Sequence, residues 1–189
     1  MRLPRARSAS VLFPLLAFFG TAASATGQSS AVSRGEVLAA VFPGAELEME
    51  RIFLSDQQAE RIEALSREDV RGRLYVRFIA TLRGEVVGRS YADTHIVRTK
   101  RETLLISLEP DGRVRRIDVT AFMEPPEYEA SERWLQQYDG RPAGDDLNLG
   151  RAIRPILGAT LTARAANSAV RRIQAMDTVL EGRGPTSGR

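Results

Sequence analysis

The sequence is most informative first for what it lacks. Its 189 residues include no cysteine and only one histidine, His95. The missing cysteines exclude disulfides, thiolate zinc sites, iron–sulfur clusters and CxxCH haem attachment. A lone histidine leaves little for a histidine-rich metal site or a serine–histidine relay. No metal site or catalytic residue is therefore assigned. No apolar run reaches the roughly twenty residues needed to span a bilayer, and no GxGxxG follows an expected strand, so there is no dinucleotide fingerprint. Lysine occurs once, at Lys100, among 27 basic residues.

The formal net charge of the full sequence, +3, falls once the N-terminus is read. Arg2, Arg5 and Arg7 precede the apolar run 11–20, and Ala23-Ser24-Ala25 forms a small-x-small cleavage site. This is the pattern of a secretory signal over residues 1–25, with an uncleaved anchor as the alternative. Taking its three arginines from the 27 basic residues leaves 24, equal to the 24 acidic ones. A neutral mature chain gives no charge-based argument for binding nucleic acid. The expected location is periplasmic or otherwise extracytoplasmic, with association with the cytoplasmic membrane as a further expectation.

The remainder, 43% hydrophobic overall and without internal repeats, suits one compact domain. A polar leader, 26–32, precedes Ser33-Arg34-Gly35-Glu36, which has capping-box spacing and predicts a helix over 35–41. Residues 46–54 alternate weakly as a strand. A second capping box at Ser55–Gln58 starts a helix with Ala59, Ile62 and Leu65 on one stripe. Leu74, Val76 and Phe78 alternate with Tyr75, Arg77 and Ile79 as a strand, Arg83-Gly84-Glu85 turns, and 86–91 runs back. Strands over 102–109 and 114–122 flank Pro110-Asp111-Gly112, a hairpin signal. Consecutive strands on short turns predict an antiparallel sheet. After Pro125-Pro126, a helix over 131–138 carries Trp134, Leu135 and Tyr138, and a polar loop spans 139–146. A last helix from about Thr162 places Ala166, Ala169, Val170, Ile173 and Leu180 on one stripe, with Gly182 as its cap. The fold class is α+β, a single domain with an antiparallel sheet flanked by helices.

One segment carries chemistry. Gly158, Ala159, Thr160, Leu161 and Thr162 place a glycine, a small side chain and two hydroxyls just before a helix N-terminus. Free backbone N–H groups and the helix dipole favour a phosphate there, and Gly158 allows close backbone approach. A plainer reading makes Thr160 or Thr162 an N-cap. His95 has two readings, a hydrogen bond to a ligand ring edge or a partly exposed strand histidine. Trp134 and Tyr138 either stack on a ligand or belong to the core. Glu127, Glu129 and Glu132 read as a solvated acidic face.

Gly158-Ala159-Thr160-Leu161-Thr162, followed by Ala163-Arg164-Ala165 and Ala169-Val170-Arg171, resembles the C-terminal signature of the FMN-binding domain family. That domain occurs in the C subunit of the sodium-pumping NADH:quinone reductase and the G subunit of the Rnf complex. Val41–Ala45, the hairpin at Asp111-Gly112, Glu124-Pro125-Pro126 and Trp134–Tyr138 follow in the family's order. The resemblance covers most of residues 26–183, with 184–189 as a tail. It implies an FMN-binding-domain-like fold and FMN as cofactor. A flavin transferase would join the FMN phosphate to Thr162, with Thr160 as the second choice. It also implies that Glu124 contacts the flavin, although as a bare residue Glu124 reads equally as a turn-capping carboxylate. Arg154 and Leu157 stand where the family pattern has Asp and Ser or Thr. The expected function is an exported electron-transfer flavoprotein, a carrier between membrane-associated redox proteins rather than a stand-alone catalyst. The alternative is a cofactor-free exported binding or assembly domain with a degenerate flavin site.

Overall fold

The computed structural model describes residues 33–144 and 147–184. The expected signal segment, the polar leader, the last five residues and Asp145-Asp146 of the expected 139–146 loop lie outside the described residues. The described residues all fall within one compact unit.

Local chemistry sets the first elements. Helix α1 (Arg34–Val41) and helix α2 (Asp56–Ser66) each begin with a complete capping box. The Ser33 hydroxyl accepts from the Glu36 amide at 3.2 Å and the Glu36 carboxylate accepts from the Ser33 amide at 2.9 Å. Ser55 and Gln58 repeat the arrangement at the same distances. Each box satisfies two N–H groups that have no partner within the helix.

Strands β1 (Glu46–Phe53), β2 (Leu74–Leu82), β3 (Glu85–Ile96), β4 (Arg101–Leu108) and β5 (Val114–Phe122) form one sheet in chain order. Every neighbouring pair is antiparallel. The β2–β3 connection is the pair Arg83-Gly84, with φ of 55° and 83°. Positive φ at both positions is the primed turn that matches the twist of a two-residue hairpin. β3 runs five residues beyond the expected end at Tyr91 and includes His95, in keeping with the reading of that residue as a strand histidine.

The two sheet faces bury different clusters. Val37, Leu38, Val41 and Phe42 of α1 region pack on Ala80 and Leu105. On the opposite face, Tyr91, Leu104, Ile106 and Leu108 pack with Ile62 of α2 and with Ala166, Ala169, Val170, Ile173 and Met176. The last five belong to helix α4 (Thr160–Leu180). β4 supplies both clusters by alternation, since successive strand side chains point to opposite faces. α4 ends as expected: Gly182 has φ 62°, its amide reaches the Val179 carbonyl, and the Arg183 amide reaches that of Thr178. These are the two bonds of a Schellman motif.

Two expectations change. The segment expected as one helix over 131–138 is a single α-turn, α3 (Glu132–Leu135), followed by a 3-10 turn, Gln136–Tyr138. α4 starts at Thr160, two residues early, so neither threonine is its N-cap; Ala159 holds that position and no side chain caps the helix. Among the described residues, no helix is long and apolar enough to cross a membrane.

Candidate functional site

The start of α4 forms one wall of a cleft of about 280 Å³. The cleft is lined by the whole 158–162 segment, by Val97 and Arg98 of the β3–β4 turn, and by Glu124 and Tyr128 beyond β5. All six sequence-predicted site residues, Gly158, Ala159, Thr160, Leu161, Thr162 and Glu124, therefore meet around one space. Its volume is near the lower end for ligand clefts, which run from about 300 to 1,000 Å³.

The first N–H groups of any α-helix lack an intrahelical acceptor. In α4 no side chain accepts from them and no acidic residue stands in the first turn. The positive end of the helix dipole therefore faces the cleft without a side-chain anion of its own. Gly158 has φ 79°, a left-handed conformation that suits glycine. A Cβ there would meet nothing within 4 Å, so the glycine serves the turn of the backbone rather than a tight contact.

The two hydroxyls differ. The Thr162 hydroxyl donates to the Tyr128 carbonyl at 2.7 Å, and Thr162 is only 1% exposed. Thr160, one turn edge away, is exposed. Thr162 therefore ties α4 to the 3-10 turn Pro126–Tyr128, while Thr160 offers a free hydroxyl to the cleft.

Glu124 takes the turn-capping role. Its Oε1 accepts from the Thr99 amide at 2.7 Å, the Lys100 amide at 2.8 Å and the Thr99 hydroxyl at 3.3 Å. The Thr99 amide first, then that of Lys100, holds its carboxyl below the ordinary range, so it stays ionised. Glu124 thereby fixes the β3–β4 turn that brings Val97 and Arg98 to the cleft. Glu124 and Arg98 thus line the same cleft.

Other expectations are corrected. His95 is neither partly exposed nor free for a ligand, because both ring nitrogens are engaged. Nδ1 lies 2.9 Å from Asp93 Oδ1 and Nε2 lies 2.9 Å from Glu102 Oε2, with all three residues buried. Arg172 of α4 clamps Asp93 through Nε at 3.1 Å and Nη2 at 2.8 Å to Oδ2. Trp134 and Tyr138 are packing residues, with ring centroids 5.7 Å apart at 71°. The Trp134 indole N–H donates to the Arg154 carbonyl at 2.7 Å, anchoring the loop that leads to Gly158. Arg154 and Leu157 do not line the cleft; Leu157 is 99% exposed.

Sequence reasoning missed Val97, Arg98 and Tyr128, which carry no periodic or motif signal and reach the cleft only through turns. The Asp93–His95–Glu102 group had a usable signal, two acidic residues inside apolar strands. Among the described residues, no group of three His, Cys, Asp or Glu side chains is arranged to hold a metal ion. The chain matches no protein-family model, no curated protein and no solved structure.

Proposed function

We propose that the chain is an exported FMN-binding flavoprotein that carries electrons between membrane-associated redox partners. The observation that carries this reading is the uncapped N-terminus of a 21-residue helix opening into a cleft with two threonines in its first turn. The residues present fit the group: backbone donors and Arg98 for a phosphate, apolar surface from Val97, Leu161 and Tyr128 for a ring. FMN, when bound, would supply the electron chemistry, and the protein would hold and tune it. In the proposed site, the 160–162 amides orient the phosphate, Leu161 and Val97 exclude water from one side, and Glu124 keeps the opposing turn in place.

Covalent attachment by a flavin transferase would retain the cofactor outside the cytoplasm. The family resemblance points to Thr162, but that hydroxyl would first have to leave the Tyr128 carbonyl. Thr160 needs no such rearrangement, and its exposure favours it as the ester site. The departures at Arg154 and Leu157 lie outside the cleft lining, which leaves the phosphate end intact.

A second reading, a cofactor-free exported binding or assembly domain, is favoured by Leu157, an apolar side chain fully presented to solvent beside the cleft. The test is the intact mass of the protein after co-expression with a flavin transferase, read with in-gel fluorescence after denaturation. A gain of one FMN less water, lost in Thr160→Ala and retained in Thr162→Ala, is the expected result. Loss only in Thr162→Ala would move the ester. An unmodified, colourless wild type would refute the carrier and favour the binding domain.

A further inference from the structure

We propose that His95 is a proton-operated latch on the cleft: its imidazolium holds the β3–β4 turn that presents Val97 and Arg98, and loss of the proton loosens that turn and weakens anion binding. The ligand half of this inference rests on the cleft reading above; the latch itself does not.

Each ring nitrogen faces a carboxylate at 2.9 Å, and two ionised carboxylates call for two N–H donors. A neutral imidazole has one N–H and can donate to only one of the two carboxylates that flank it, whereas the imidazolium donates to both. With His95 charged, Arg172 and His95 balance Asp93 and Glu102. With His95 neutral, the buried group carries one net negative charge. Other titratable groups face it from each packed element. Tyr75 of β2 interacts with Arg172 and Asp93, and Glu129, next to the cleft residue Tyr128, faces Glu102. Neither supplies a cation. The Asp69 carbonyl lies 3.5 Å from Arg172 Nη1 and adds no charge.

The two carboxylates are not equivalent. Asp93 keeps the guanidinium of Arg172 when His95 loses its proton. Glu102 has no such support: it is 0% exposed, and its Oε1 has no hydrogen-bond partner. Breaking one side of a buried pair leaves a costly unpaired charge, so Glu102 is the end that must move toward water. Glu102 pairs with His95 across the β3–β4 hairpin, one residue pair before the Ile96–Arg101 end. The connecting turn is closed by the Val97 amide on the Lys100 carbonyl at 3.1 Å. Movement of Glu102 therefore acts directly on the wall that carries Val97 and Arg98. The added negative charge at the base of the turn that carries Val97 and Arg98 opposes an anion as well, so both effects have the same sign.

Burial alone would push the His95 pKa down, but the hydrogen bonds its ring donates to Asp93 and Glu102 outweigh it and leave it above the ordinary value. A raised folded-state pKa means that the tie is complete below about pH 6.5, the unfolded value, and is lost as pH rises through the folded value. The latch is closed on the acid side and opens on the alkaline side.

Because the chain has one histidine, proton NMR of the untagged protein follows His95 without ambiguity. The apo-protein should show a His95 midpoint above 6.5, with amide exchange at residues 97–102 accelerating through that same midpoint beyond its intrinsic pH dependence. FMN and inorganic phosphate, measured separately, should each bind about tenfold more weakly above the midpoint, equivalent to a one-unit rise of the His95 midpoint on saturation. Glu102→Gln keeps an acceptor for Nε2 and removes the charge; the His95 midpoint, the exchange profile and the binding profile should all move down together. The ligand's own phosphate titration is common to both proteins. Exchange or binding that ignores the His95 midpoint would overturn the latch, and the wild-type comparison decides this even if Glu102→Gln does not fold. If neither ligand binds at any pH while exchange follows His95, the cofactor reading fails and the latch stands.

Discussion

Replacing Gly88 by alanine should destabilise the domain through a clash that no rotamer can relieve. Gly88 lies in β3 beneath α1 and has no left-handed backbone to preserve. A Cβ built there falls 2.3 Å and 2.8 Å from Phe42 Cε1 and Cζ and 2.7 Å from the Leu108 carbonyl oxygen. Ordinary carbon contacts sit at about 3.5–4.0 Å, so the Phe42 ring would have to retreat by roughly an ångström. Phe42 is held by Val37, Leu38 and Val41 and by the Arg115 guanidinium 4.8 Å above its ring. The Leu108 oxygen belongs to the neighbouring strand, opposite Arg89, and can move only by stretching the ladder. Overpacking of this kind costs about 1–3 kcal/mol, and two constrained neighbours place Gly88 near the upper end. Reduced freedom of the unfolded chain returns about 0.4–1 kcal/mol. The net loss is about 2 kcal/mol, which for a domain of this size lowers Tm by about 4–8 °C. Circular-dichroism melting and urea titration of Gly88→Ala, Phe42→Leu and the double variant measure it. The double variant should recover part of the loss, with a coupling of about 1 kcal/mol, because Leu yields space while the Leu108 carbonyl stays. An unchanged or raised Tm in Gly88→Ala would refute the packing of α1 on β3.

Arg172→Met should cost about 3–5 kcal/mol by leaving Asp93 buried without its guanidinium. In the wild type, burial would raise the Asp93 pKa, but the hydrogen bond from His95 and the charge of Arg172 outweigh it and hold it below the ordinary value. Its contribution is therefore present above about pH 4 and fades as pH falls through the folded value; urea titrations from pH 7 to 3 should show a shallower acid loss in Arg172→Met. Trp134→Phe removes the indole bond to the Arg154 carbonyl and should cost about 1–2 kcal/mol, with faster amide exchange over residues 150–158. Unchanged exchange there would mean that Trp134 does not anchor the loop.

The elements legible in the sequence are those whose determinants lie within a few residues. Ser33 with Glu36 and Ser55 with Gln58 act at a separation of three, and their helices start where the spacing predicts. Arg83-Gly84 and Pro110–Gly112 set their own turns through φ, so the meander of β2 to β5 follows from local preference and alternation. The 158–162 segment announced itself because small residues and hydroxyls before a helix are also a local pattern.

The roles within the site were decided by contacts between distant parts of the chain. Glu124 caps a turn 25 residues earlier, Thr162 bonds to a carbonyl 34 residues away, and Arg172 reaches Asp93 across 79. A spacing rule cannot distinguish a hydroxyl that is used internally from one left open, because that depends on which carbonyl folding brings beside it. For the same reason His95 read as a partly exposed strand histidine, whereas β3 and β4 supply two carboxylates to it and α4 adds Arg172 to Asp93. Amino-acid sequence alone determined the two capping boxes, the order of the strands and the two tight hairpin turns, where hydrogen bonds and dihedral preferences are local. Tertiary packing alone decided which charges are buried together and which cleft threonine already spends its hydroxyl on a distant carbonyl, because burial and ion pairing arise only when separate elements meet.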